Sequence, residues 1–383
     1  MFDSSAEFDP ARPLDELLKV VPAKWVVYLF ADADGQPVQL LCVKNLRASL
    51  KRRLGGDELI GPTRKVNYRD LVRRISWRRV DSAFEADLLY LEKARQIFPR
   101  SYRGMLGFES AWFIHVDPSQ RFPRYVKTID LSRQGILIGP LEDKHAAARL
   151  IQLVEDAFDL CRYYNILTES PHGRACAYKE MGKCPAPCDG SISIEQYREM
   201  IRWSAQTVVS PESFIEEHKR RMAAAAQDLN FESAAKIKQY IAEISKFGSG
   251  PFRFVRRLHD FRFLSLQHGP RAGTAKIFLI TPGRVEEVAG LIGNASKAED
   301  LLRHVLALDA RTDPDFSAEG IERVGVVAEH LFRARKVSGV YLRMDELEDR
   351  AFAKAFRELQ KQKAPDAPAE TDDEGVVKEL QQI

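Results

Sequence analysis

Apolar and polar positions change rhythm several times along the chain. Residues 24–31, KWVVYLFA, form an apolar run rich in β-branched and aromatic side chains; DADG then supplies a turn and QPVQLLCV a second apolar run. This predicts a β-hairpin. The period next shifts to that of a helix in NLRASLKRRL, with Leu46, Leu50 and Leu54 on one face and Asn45 as the cap. A further helix is expected over about 81–97, in DSAFEADLLYLEKARQI, followed by extended runs near 109–117 and 124–138. A long amphipathic helix starts after GPLED and ends near Cys161.

SISIEQYREMIRWSAQTV is again helical, with Ser193 as its cap. In the following segment Phe214, His218, Met222 and Ala225 recur at helical steps, DLN interrupts them, and Phe231, Ala234, Ala235, Lys238 and Ile241 resume the pattern. That is a helical hairpin, read either as internal packing or as a surface that recruits two helices of a partner. Two or three strands are expected over 253–290, from FRFLSLQ and TAKIFLIT, then helices near 296–308 and 317–335. The pattern predicts an α+β, multidomain protein. Its expected parts are an N-terminal extension (1–19), a small α/β domain (20–105), a connecting layer with a cysteine-cluster helical segment (106–205), a helical hairpin (206–247), a C-terminal α/β region (248–360) and a disordered acidic tail (361–383).

Composition narrows the setting. Of 383 residues, 45% are hydrophobic and 30% charged, which is globular. No apolar run approaches the roughly 18 residues of a membrane span, and the acidic start MFDSSAEFDPARPLDELL does not read as a secretory signal. A cytoplasmic, reducing location without membrane attachment is expected. Net charge is only +3, but between Lys44 and Arg79 twelve basic residues face three acidic ones. Lys44, Arg47, Lys51, Arg52, Arg53, Arg64, Lys65, Arg69, Arg73, Arg74, Arg78 and Arg79 read as a DNA phosphate-binding surface or as a solvated face.

The chemistry concentrates in RACAYKEMGKCPAPCDG, which holds Cys176, Cys184 and Cys188; Cys161 lies fifteen residues upstream of the first. Five cysteines do not make a disulfide framework, and in a reducing setting a cluster more often binds metal. Only Cys184 and Cys188 have the close spacing of a zinc ligand pair. The chemistry alone leaves an iron–sulfur cluster, zinc and unliganded thiols open. Cys42, in an apolar strand, reads as a packed free thiol.

YKEMGKCPAPCDGSISIEQY resembles the cysteine segment of the UvrC family, the C subunit of the excinuclease in bacterial nucleotide excision repair. GILIGPLED and the helix running to Cys161 resemble the family just upstream, and the stretch from Met222 to Ile241 resembles its UVR motif. WVVYLFADADGQPVQLLCVKNLRASLKRRL resembles its N-terminal GIY-YIG nuclease domain. The resemblance covers residues 20 to about 290. It implies a [4Fe–4S] cluster on Cys161, Cys176, Cys184 and Cys188, with zinc as the alternative. It also implies docking on the B subunit of the excinuclease through Met222, Leu229, Phe231, Glu232, Ala235 and Ile241, with Phe231 anchoring the turn.

The nuclease motif departs from that family. Its first tyrosine is Tyr28 and its metal-binding glutamate falls on Glu92, but the second tyrosine is Gln39, the following lysine is Cys42 and the catalytic arginine falls on Ser49. Arg47 and Arg53 lie out of register. These remnants imply a mostly inactive nuclease, with a divalent metal at Glu92 only if it cuts; losing one electrostatic donor costs about 10²–10³ in rate. Asp309, Asp313 and Asp315, in a Pro-bearing stretch, read as a surface turn and not as a second nuclease centre. The expected protein is a short-form DNA-repair chain that binds DNA and the excinuclease B subunit. The alternatives are an active excision endonuclease and an iron–sulfur redox-sensing regulator.

Overall fold

The computed structural model describes residues 2–55, 67–292, 298–333 and 339–362. Arg64 and Lys65 of the basic segment, and the tail from 363 onward, lie outside the described residues. The first unit is built on an antiparallel sheet of β1 (Ser4–Glu7), β2 (Val26–Ala31), β3 (Pro37–Val43) and β4 (Arg74–Arg79), in the order β1-β4-β2-β3. Its helices are α1 (Leu14–Val20), α2 (Leu46–Leu54), α3 (Tyr68–Leu71), α4 (Ala83–Ile97) and α5 (Tyr102–Met105). Residues expected as an extension are thus part of the unit: Ser4 to Glu7 pair with Trp77 to Arg74, and Leu17 of α1 is buried.

β2 is apolar at every position because both faces of its sheet are covered. Val26, Tyr28 and Phe30 pack with Leu46, Leu50 and Leu54 of α2, whereas Val27 and Leu40 pack with α4 on the other face. Asn45 caps α2 by accepting from the Ala48 N–H at 3.1 Å, and Ser82 caps α4 by accepting from that of Glu85 at 3.2 Å.

The middle unit has β5 (Trp112–Val116), β6 (Val126–Thr128), β7 (Ile136–Leu141) and β8 (Arg256–Arg257) in the order β6-β5-β7-β8. Helix α6 (Lys144–Ala157) buries Ala146, Ala147, Leu150 and Val154 in the same core as Ile114 and Ile138 of that sheet. Then come α7 (Tyr164–Leu167), α8 (Ala177–Glu180), a 3-10 turn at Pro187–Asp189 and α9 (Ile194–Val209). Ser193 and Gln196 form a capping box at the start of α9. The hairpin α10 (Pro211–Gln227) and α11 (Phe231–Ile244) follows, after which the chain returns as β8 to the middle sheet. The hairpin is therefore an insertion within the middle unit, and the expected boundary near residue 248 moves beyond β8.

The third unit has β9 (Phe263–His268), β10 (Ala275–Thr281), β11 (Arg284–Ile292), α12 (Ala298–Asp309), α13 (Ala318–Arg333), β12 (Val340–Arg343) and α14 (Asp349–Lys361). Its antiparallel sheet runs β11-β10-β9-β12. Phe352, Phe356 and Leu359 of α14 cover one face, with Leu302 and Val305 of α12. On the other face Phe263, Phe278 and Ile280 share a core with α13 and α4. Helix α4 is consequently enclosed between two units. Phe84 sits at that joint with its ring edge-on to Phe278 (5.5 Å), His330 (5.3 Å) and Tyr341 (5.9 Å). Lys276 bridges Asp81 (2.9 Å) and Glu85 (2.7 Å), and His330 Nε2 meets Asp87 at 2.9 Å. Asp309 is held by Arg262 (2.6 Å) and Asp315 by Arg323 (3.3 Å), as part of structural ion pairs. Among the described residues no helix is long and apolar enough to cross a membrane.

Candidate nucleic-acid and partner interfaces

Tyr28 is fully buried, with its hydroxyl 3.0 Å from Ser49 Oγ on α2. Burial pushes its pKa up to about 12, against the pull of the Arg53 and Arg52 charges. The two residues that the sequence resemblance set at the nuclease tyrosine and arginine positions thus touch each other, inside the core. Gln39 pairs opposite Phe30 in the ladder, and its Oε1 is buried with no hydrogen-bond partner among the described residues. Glu92 is exposed on α4, which packs on the opposite face of the sheet from Tyr28. Tyr28 and Glu92 do not share a site. Cys42 accepts from Trp25 Nε1 at 3.3 Å, and burial pushes its thiol up to about 12, which makes it an inert core group.

The basic segment is divided by the fold. Arg47, Lys51 and Arg52 are exposed on α2, and Lys44 is half-buried just before it. Arg47 donates to the Val21 carbonyl at 3.1 Å, and Arg53 stands over the Tyr68 ring at 5.6 Å. Arg73 is spent on backbone carbonyls, at 2.7 Å to Val72 and 2.9 Å to Asp70. Arg74 and Arg78 pair opposite Ala31 and Val27, on the sheet face away from α2. Strand alternation splits what the sequence presents as one cluster. The surface that remains is the solvent side of α2, with Lys51, Arg52 and Arg53 in its last turn, where cations also favour the helix dipole.

The cysteine segment folds into a knot at the end of α6. Cys161, Cys184 and Cys188 are buried, and Cys176 is half-buried at the cap of α8. Cys161 and Cys184 are neighbours whose thiols influence each other's titration, and the Cys161 S–H donates to the Tyr163 carbonyl at 3.5 Å. The neighbouring Cys161, together with the nearby Arg162 charge, brings Cys184 down to about 6, while Cys184 and burial push Cys161 up. Cys188 adds to the upward push on Cys161, and its own thiol is pushed up by burial and by the Asp189 charge. The surrounding bonds tie the segments together. Tyr197 Oη accepts from the Cys161 N–H (3.2 Å), Gly173 N–H donates to the Cys188 carbonyl (2.8 Å), and Lys179 joins Asp189 (2.6 Å). Arg162 stacks 4.4 Å from the Tyr178 ring centroid. In kind, this all-thiol donor set suits a soft metal centre. As they stand, no three His, Cys, Asp or Glu side chains among the described residues converge on one ion position. Tyr197 was not singled out by the sequence pattern; its place just after the capping box was the available signal.

The hairpin is packed at its base and bare beyond it. Phe214, His218 and Tyr240 form an aromatic clasp, with Phe214 and His218 stacked at 3.9 Å and Tyr240 edge-on to both at 5.5 and 5.4 Å. From Lys219 to Glu243 no residue is buried. Met222 and Ile241 are half-buried, while Ala235 and Glu232 are exposed, the latter in an exposed 2.8 Å pair with Lys236. Helix α10 ends in a Schellman motif: Asn230 N–H donates to the Ala225 carbonyl (2.8 Å) and Leu229 N–H to that of Ala226 (3.1 Å). Leu229 occupies the left-handed position, φ 57°, that glycine usually takes. It is 73% exposed, and Phe231 beside it is 65% exposed. Asn230 then caps α11 by accepting from Ser233 N–H at 3.1 Å.

Two family models match the chain: the UvrC/Cho excinuclease middle domain over residues 111–207, and the UvrB/uvrC motif over 212–247. The first opens at β5 and closes within α9; the second spans the hairpin. UvrABC system protein C of Campylobacter jejuni subsp. doylei is 25% identical over 283 residues, covering 72% of this chain and 46% of the relative. That of Trichlorobacter lovleyi is 26% identical over 233 residues, covering 60% and 38%. That of Clostridium perfringens is 27% identical over 274 residues, covering 70% and 44%. The chain spans under half the length of these curated relatives. No solved structure matches it. A match to the UvrC/Cho middle domain that takes in the cysteine knot and leads directly into a hairpin matching the UvrB/uvrC motif supports a UvrC-family protein.

Proposed function

We propose that this chain serves nucleotide excision repair as a docking and DNA-holding protein. It binds the excinuclease B subunit through the α10–α11 hairpin and DNA through the solvent side of α2. The observation that carries the reading is the hairpin tip, where Leu229 and Phe231 are 73% and 65% exposed at an ordered turn. Two helices whose outer half buries nothing gain by packing against a second such pair. Leu229 and Phe231 are the apolar anchors, Met222, Ala235 and Ile241 extend the surface along the helices, and Glu232 offers a charge at the rim.

Strand cutting by a GIY-YIG-like first unit is not part of this reading. Metal-assisted hydrolysis needs a carboxylate-bound cation and charge-stabilising donors around one phosphate. Tyr28 is sealed against Ser49, and Glu92 stands on the far side of the sheet. Cys161, Cys176, Cys184 and Cys188 are the residues that would hold a [4Fe–4S] cluster, or zinc in its place. Bound there, either centre would crosslink three short segments that have little apolar surface of their own. Iron and acid-labile sulfide in equal amounts in anaerobically purified protein is the expected result, and stoichiometric zinc without iron would exclude the cluster.

The decisive experiment is calorimetric titration of the chain with the excinuclease B subunit. Wild type is expected to bind, and Phe231→Ala to weaken binding at least about 10-fold with helicity unchanged. A wild-type titration without binding overturns the docking reading.

A further inference from the structure

At the loop end of the middle sheet lies a pocket of about 470 Å³ that neither interface above uses. His115 and Asp117, Gln120 and Arg124, Arg133, and Tyr164 of α7 line it. The Arg124 guanidinium sits 4.0 Å from the Tyr164 ring centroid, and among the described residues it has no carboxylate partner. Its backbone is fixed on both sides: Pro123 is buried, and buried Tyr125 bonds Ser204 of α9 at 2.8 Å. The guanidinium is therefore held in place by a ring and not by an acid. The His115 ring, 2.7 Å from the Gln134 carbonyl, forms a buried part of the wall. Gly135, at φ 112°, lets the following turn close over it; a Cβ there would fall 2.9 Å from His115 Nε2. The carboxylate in the lining, Asp117, is taken by Ser119 N–H (2.9 Å) and Oγ–H (2.6 Å). Arg133 has a loose 3.6 Å pair with exposed Asp130.

An acid-free guanidinium stacked on an aromatic ring, with a second guanidinium lining the same cavity, offers two things at once. It gives a flat platform for a base and forked donors for a phosphate. The volume suits one nucleotide and not a stacked duplex. We propose that this pocket receives a single unpaired nucleotide of a DNA strand. Its base stacks on the Arg124–Tyr164 platform and its phosphate meets Arg124 and Arg133. The inference rests on the DNA-binding reading above but places a second contact on a different unit, with Tyr164 three residues beyond Cys161.

The test measures anisotropy of the full chain with a short labelled thymidine oligonucleotide, a duplex of the same length, and thymidine monophosphate as competitor. Arg124→Ala and Tyr164→Ala are each expected to weaken single-strand binding roughly 5- to 50-fold. Tyr164→Trp should restore it, and duplex binding should change less than about 2-fold, since a paired base offers no free face. Unchanged single-strand affinity in the Arg124→Ala/Tyr164→Ala double variant overturns the proposal, as does an equal loss on duplex. Monophosphate binding as tightly as the oligonucleotide reassigns the pocket to free nucleotides and overturns the strand reading. A Lys51→Ala/Arg52→Ala variant that loses duplex but keeps single-strand binding shows that the pocket stands independently of the α2 surface.

Discussion

The first unit and the hairpin invert each other. In the first unit the polar side chains Tyr28 and Ser49 are packed away: Tyr28 has no exposure, Ser49 closes on it, and α4 is enclosed between two units. In the hairpin the side chains that ordinarily belong inside a protein, Leu229 and Phe231, stand in solvent at a rigid turn. Buried polar groups cost free energy unless paired, and exposed apolar groups forgo the gain of burial. A nuclease site needs polar groups open to substrate, whereas a docking site needs apolar groups open to a partner; the hairpin tip has the second kind of exposure, and Tyr28 lacks the first.

Mutations that treat the two regions alike will separate them. The largest effect is expected at Phe84, fully buried where the first and third units meet: Phe84→Ala should cost about 3–5 kcal/mol in urea unfolding. Phe231→Ala, the same change in an exposed ring, should stay within about 0.5 kcal/mol. Equal losses would mean that the tip is packed in solution and would erase the contrast.

A smaller effect is expected at Tyr28. Tyr28→Phe leaves Ser49 without its partner and should cost about 1–1.5 kcal/mol, with binding to DNA and to the excinuclease partner unchanged. The tyrosine also carries a pH signature. Its pKa is raised from 10.0 to about 12 by burial, so folding favours the protonated phenol. That stability is present below pH 10 and is lost as pH rises toward 12. Unfolding followed across this window should show a shallower decline in Tyr28→Phe than in wild type; parallel curves would mean that the hydroxyl is reached by water.

The smallest effect has the opposite sign. Leu229→Gly relieves a left-handed backbone and should stabilise the hairpin by about 1 kcal/mol. The same change removes an exposed anchor and should weaken docking on the excinuclease partner. Gain in one assay with loss in the other marks a residue kept for docking; loss in both would mean that Leu229 packs against its own hairpin.

Elements with strong local patterns were legible in the sequence. The Asn45 cap with Leu46, Leu50 and Leu54 marked α2, and the interruption at DLN marked the hairpin turn. Less legible was anything decided by pairing across long sequence distances. β1 joins β4, and β8 rejoins the middle sheet after the hairpin, through contacts that leave no local period. The face taken by Tyr28 was hidden for a related reason. VVYLFA is apolar throughout because both sides of its sheet are covered, so alternation cannot assign a side. At the candidate site, residue type and spacing left open whether the thiols meet, and the set Cys161, Cys176, Cys184 and Cys188 came from the family resemblance. Tyr240 was not singled out, since an aromatic on a helix gives no hint of the stack it will make, and Tyr197 had only its place after the capping box as a signal.

The return of β8 has a mechanical consequence. A projecting arm joined to a body at one point swivels, and whatever it grips is held at an undefined angle. This arm has two footings in the same sheet-and-helix body, one through α9 and one through β8, with Phe247 and Phe252 driven into that body between them. Whatever seizes the tip therefore sets the bearing of the thiol-rich knot as well, by leverage through a rigid bracket.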